Sequence, residues 1–201
     1  PLATDSIFVD EIISEVFKLL PSDIPLKKLP TQYIGFSPEH KAFAGTITLS
    51  SNLISSIIQE VGGQLSEMGF KRLILINGHG GQISLLNTAA RELRSSAPGM
   101  AVFPCFLWSG VNGLSKLLSK SELEHGLHAS LAETSLMLAL KPELVGDERP
   151  HDGIDEVIPE GWSLEGNAPI AWFTEDLSKS GVIGDSRGAN ESLGKSLKEL
   201  L

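Results

Sequence analysis

Two short apolar runs, RLILI (72–76) and MAVFPCFLW (100–108), flank a stretch in which Ile83, Leu86, Ala90 and Leu93 recur at helical spacing. Strand, helix and strand of these lengths make a βαβ unit, because two parallel strands can be joined only by a crossover. That predicts an α/β fold whose sheet is mainly parallel and covered on both faces. Further segments extend the pattern. TQYIG (31–35) and TITLS (46–50) read as strands, and Leu53, Ile57, Val61 and Leu65 form a helical ladder interrupted by Gly62 and Gly63. Ser6 to Leu20 reads as an amphipathic helix with Phe8, Ile12, Val16 and Leu19 on one face and Thr4, Asp5 or Ser6 as its cap. Residues 109–119 are read as a short helix, 128–142 as a turn feeding a helix that stops before Pro142, and 187–201 as a last helix. Between them, 143–180 is irregular and rich in Gly, Pro, Asp and Glu, a length without periodicity that is usually functional or partly mobile.

At 201 residues and 41% apolar content, the chain supports one sizeable core, so 1–201 is expected to be a single domain. A formal net charge of −9 and a pI near 5.0 argue against nucleic acid or an anionic membrane surface as the main partner. Cys105 is the only cysteine and lies in an apolar stretch, which predicts a buried thiol. With no disulfide possible within the chain and no stretch of signal-peptide or transmembrane character, a cytoplasmic protein is expected.

The motif INGHGGQ (76–82) sits where the first strand gives way to the helix, the place where ligands collect in open α/β sheets. Two readings compete for it: Gly78, Gly80 and Gly81 cradle an anion on backbone N–H groups, or they leave His79 room to face a metal. The motif lacks the ending of a phosphate loop and the spacing of a dinucleotide fingerprint, which weakens the first reading. In the second constellation, EHGLHASLAETS (124–135), Glu133 falls near the start of a helix. Facing solvent it needs nothing; facing inward among Leu131, Ala132, Leu136 and Met137 it needs a cation or a metal. His128, just before that helix, is placed to carry a proton. Asp5 is either a helix cap or a carboxylate able to bridge metal ions, and Glu39 and His40 lie on a loop after a predicted strand. Together these are oxygen and nitrogen donors suited to zinc, manganese or iron rather than a thiolate site.

The blocks PLATD (1–5), GFSPEHKAFAGTITLS (35–50), LILINGHGGQ (73–82), HASLAETSLMLAL (128–140) and SGVIGDSRGA (180–189) resemble, in order, the motif blocks of the creatininase (creatinine amidohydrolase) family. The resemblance implies a three-layer α/β/α sandwich with a mainly parallel sheet. It also implies two divalent metals per complete site (Zn, Mn or Fe), a hexameric assembly, and hydrolysis of amide-type C–N bonds outside peptides, in cyclic amides or formamides. On that pattern Asp5 would bridge the metals, His79 would ligate one, and Glu133 would be a ligand or an immediate neighbour. His128 would serve the substrate nitrogen as acid or base. Beside that pattern, the N–H groups of Gly80 and Gly81 and the side chain of His40 are candidates for holding the substrate. The family block that ends in TD opens upstream with an E-x-H ligand motif on its own strand, so an N-terminal truncation is expected. Gln82 stands where the commonest pattern has asparagine and Ser130 where it has glycine. Gly81 replaces a glutamate ligand of creatininase proper, which argues against creatinine as substrate. The rival expectation is a non-catalytic module on the same fold that holds a small anion or a partner.

Overall fold

The computed structural model describes residues 3–153, 158–166 and 168–201. Pro1 and Leu2 of the first motif block, and 154–157 and Asn167 of the irregular stretch, lie outside the described residues. The chain forms two compact units, a strand unit of Ala3–Ser37 and Ile47–Gly110, and a helical unit that holds Pro38–Thr46 and Val111–Leu201.

The strand unit contains α1 (Thr4–Leu19), α2 (Ser51–Glu67), β1 (Arg72–Asn77), α3 (Ile83–Ser96) and β2 (Ala101–Phe106). The predicted βαβ unit is present: β1 and β2 pair in parallel from Arg72 opposite Ala101 to Asn77 opposite Phe106, and α3 is their crossover. Leu93, Ala97 and Met100 form a buried cluster against Ile58, Leu73 and Val102, so one face of the strands is covered by α3 and α2. Alternate residues face away from that cluster. Ile74 is 49% exposed and its register partner Phe103 44%. Cys105, on the same face as Phe103, is exposed and not the buried thiol expected from its apolar neighbours.

Other sequence expectations are corrected by competing polar bonds. Residues 31–35 form no strand: Thr31, Tyr33 and Lys28 turn their side chains onto the Asp10 carboxylate at 2.6, 2.8 and 2.6 Å. Residues 46–50 are likewise irregular, and Ser50 caps α2 by accepting the Leu53 N–H. At α1 none of Thr4, Asp5 or Ser6 is the cap; the helix starts from Ala3, at φ 64°, with no side-chain cap. In α2 the buried face is displaced by one residue from the apolar ladder. Leu53 and Val61 are exposed, whereas Ile54 and Gly62 are buried. A Cβ on Gly62 would meet Leu93 Cδ2 at 2.2 Å, so close approach of α2 to α3, rather than the tally of apolar side chains, sets the rotation.

In the helical unit, α4 (Leu114–Leu117) and α5 (Lys120–His125) precede α6 (Leu131–Leu140). β3 (His151–Asp152) pairs antiparallel with β4 (Gly184–Asp185), α7 (Thr174–Leu177) lies between them in sequence, and α8 (Glu191–Leu200) closes the chain. Leu136 and Met137 of α6 and Leu197 of α8 form the interior. No helix among the described residues is long and apolar enough to cross a membrane.

The adjacent glycines of α2 give substitutions of opposite sign. Gly63→Ala, with nothing within 4 Å of the new Cβ, should stabilise by about 0.5–1 kcal/mol through helix propensity. Gly62→Ala should destabilise by about 1–3 kcal/mol by overpacking Leu93. Urea unfolding of the two variants measures both.

Candidate functional site

In the strand unit the candidate residues gather where β1 ends. Asn77 is buried, and its side chain braces the turn: Oδ1 accepts the His79 N–H at 3.0 Å and a Gln82 side-chain N–H at 2.9 Å, while Nδ2 donates to the His79 carbonyl at 2.8 Å. Gln82 Oε1 in turn accepts the Phe36 N–H at 3.1 Å. Glutamine is long enough to join the turn to the 35–36 segment. Gly78 shows why the strand must end in glycine. A Cβ there would lie 2.5 Å from the carbonyl oxygen of Asp5, so the missing side chain lets the first turn of α1 come against the strand end. Asp5 Oδ2 is thereby placed 3.4 Å from His79 Nδ1. Metal bonds of about 2.0–2.2 Å put two ligand atoms on one ion roughly 3–3.5 Å apart, so this oxygen and nitrogen pair fits a divalent metal. Gly80 opens a single 3₁₀ turn, Gly80–Gln82, with only Phe106 within 4 Å of a would-be Cβ.

In the helical unit, His128 is fixed through its backbone. His128 N–H donates to the Ile183 carbonyl at 3.1 Å and its carbonyl accepts the Ile183 N–H at 2.9 Å, which gives the SGVIGD segment a role. The next residue, Ala129, has φ 50°, a left-handed conformation that a non-glycine residue keeps only when its surroundings impose it. Glu133 Oε2 accepts the Ala129 N–H at 2.7 Å and the Thr134 hydroxyl donates to the Ala129 carbonyl at 2.9 Å. Behind the turn, the buried Glu122 accepts the Ser130 hydroxyl at 2.7 Å and the Ala132 N–H at 2.9 Å. Burial pushes the Glu122 carboxyl above its ordinary pKa, with Asp185 adding to the effect and the two hydrogen bonds opposing it. The Ser130 hydroxyl supplies one of those bonds.

The imidazole of His40 stacks on that of His128, with ring centroids 3.9 Å apart and planes at 27°. His40 Nε2 lies 3.7 Å from Glu39 Oε1, its Nδ1 hydrogen-bonds the Thr174 hydroxyl, and the ring of Trp172 meets it edge-on at 6.3 Å. Glu39, His40 and Thr174 are all buried.

Of the residues singled out in the sequence, Asp5 and His79 come together in one unit, and His40 and His128 in the other. Glu133 belongs to the turn beside His128. Trp172 packs on His40, while Trp162 and Phe173, the other aromatics of the irregular stretch, are exposed. Glu122 and Thr174 escaped the sequence reading. Each is one ordinary polar residue among several, with no spacing to mark it.

The segment that carries Thr174 is anchored electrostatically. Asp152 Oδ2 accepts the Ser178 hydroxyl, the Lys179 N–H, and both the Ser180 N–H and hydroxyl at 2.9–3.0 Å. The Ser180 N–H and the Ser178 hydroxyl hold its pKa well below the usual carboxylate range, against the opposing effect of burial. Nearby, the Arg187 guanidinium holds Asp185 down to about 2.

The chain matches the creatininase family, described as creatinine amidohydrolase, over residues 1–201. It belongs to that family and shares its α/β fold and its hydrolase character. Among curated proteins it is 27% identical to a mycofactocin precursor peptide peptidase of Mycobacterium tuberculosis, over 97% of this chain and 72% of the relative. It is 29% identical to a creatinine amidohydrolase of Pseudomonas putida, over 86% of this chain and 69% of the relative. A solved structure of a manganese creatininase superposes with a TM-score of 0.75 at 22% identity, covering 98% of this chain and 79% of that one.

Because the folded pKa of Asp152 is depressed, the stability it contributes is complete above its unfolded value of about 3.9 and is lost as pH falls through the folded value. Asp152→Asn should therefore lower the melting temperature at pH 7, and the gap to the wild-type chain should narrow below about pH 4. Thermal melts from pH 7 to pH 2.5 check this.

Proposed function

We propose that this chain hydrolyses an amide-type C–N bond, with Asp5 and His79 holding a divalent metal, Glu133 as a further carboxylate toward the metal pair, and His128 as the group that moves the proton. The observation that carries the reading is the Asp5–His79 pair, 3.4 Å apart and made possible by the bare backbone of Gly78. When bound, a divalent metal in such a site acidifies water and polarises a carbonyl. The chain's own residues do the rest. The N–H groups of Gly80 and Gly81, in the 3₁₀ turn after β1, are assigned to the negative charge that develops on the carbonyl oxygen, a type of contact worth about 3–4 kcal/mol per donor. His128 delivers a proton to the leaving nitrogen, and its ring lies stacked against that of His40.

For the substrate we favour a cyclic amide or a formamide. Gly81 in place of a glutamate ligand speaks against creatinine itself. A short peptide is the second reading, supported by the name of the mycobacterial relative. Manganese is the first metal to test, since a manganese creatininase is among the structural neighbours.

The test is turnover of formanilide, creatinine and a short peptide by the manganese-loaded chain. His128→Ala should lower turnover by roughly 10²–10⁴-fold while manganese per chain stays unchanged. Loss of metal in proportion to activity would overturn the assignment of roles.

A further inference from the structure

We propose that Thr174 is the positioning residue for His128, acting through His40; this rests on the reading that His128 moves the proton. An imidazole turns readily about the bond to its Cβ, and a half-turn exchanges the places of its nitrogens and carbons. A hydrogen bond to Nδ1 removes that freedom. Thr174 supplies it from a fully buried hydroxyl, which leaves His40 Nε2 on the side of Glu39 and presents one ring face to His128. The β-branched side chain suits the task, because its rotamer is restricted.

Thr174 is itself held from both sides. Before it, Trp172 donates its indole N–H to the Leu164 carbonyl at 3.0 Å, and the Phe173 N–H is taken by Asp176 at 3.1 Å. After it, the Ser178 N–H donates to the Thr174 carbonyl at 2.8 Å, and the hydroxyl of Ser178 is bound by Asp152. The α7 turn thus brings one buried hydroxyl to the imidazole pair. Glu39, the rings of His40, His128 and Trp172, and the Thr174 hydroxyl form a single packed assembly. In it, a loose ring at position 40 becomes a loose ring at 128.

The experiment is long-range proton–nitrogen NMR of the zinc-loaded full chain, labelled with ¹⁵N at histidine, for the wild type, Thr174→Val, Thr174→Ala and Thr174→Ser. The wild type should show a single tautomer at His40. Removing the hydroxyl should average the two His40 nitrogens and move the His128 ring signals with them, and Thr174→Ser, which keeps the hydroxyl, should restore both. Ala serves if Val does not fold. The proposal is overturned if the His128 signals stay put when those of His40 change, or if Ser behaves like Ala. In formanilide turnover, the variants lacking the hydroxyl should lose kcat on the order of 10–100-fold with KM unchanged. A wild-type chain inactive on formanilide counts against the proposed function alone, since the ring signals are read without substrate.

Discussion

The close approach of α1 to the end of β1 is the constraint on which the strand unit's chemistry depends. A parallel strand pair fixes where β1 stops, and the buried Asn77 amide shapes the turn that follows. Only a residue without Cβ at 78 then lets the Asp5 backbone come close enough for its carboxylate to meet His79. Helix position, strand register and one glycine together set a distance of 3.4 Å. The two donors belong to elements far apart in sequence, so the pair is a product of the fold and not of a local motif.

The helical unit solves a different problem, that of holding a histidine at the head of a helix in an unfavourable backbone. The left-handed Ala129 is over-determined by Glu133, Thr134 and, through Ser130, the buried Glu122. Glu122 is costly to bury as a charge, and its carboxyl is pushed upward accordingly. Its two donors compensate. The same turn is tied to Ile183 by a pair of backbone bonds, so His128 has a fixed origin from which its ring stacks on His40.

What the sequence revealed follows from which interactions are periodic. The βαβ unit was legible because apolar periodicity and strand length are sequence-local, and His79 because glycines crowd a strand end. The rotation of α2 was not legible, since one close contact of Gly62 with Leu93 outweighs four apolar side chains. TQYIG failed as a strand because Asp10, some twenty residues away, captures its hydroxyls. Thr174 left no signal at all, for a lone threonine acquires meaning only when the fold brings it to His40. Residue type and position offered Asp5, His79 and Glu133 as candidate metal ligands beside plainer readings as a cap, a turn residue and a surface carboxylate, and the fold adds the 3.4 Å distance between the first two.

Manganese binding decides whether the strand-end pair of Asp5 and His79 holds a metal. Electron paramagnetic resonance of free Mn²⁺, titrated with the wild-type chain and with His79→Ala, reads the bound fraction. The free-ion signal should be lost with the wild-type chain and persist at the same protein concentration with the variant. Equal binding by the two chains, or no binding by either, would contradict binding by the pair.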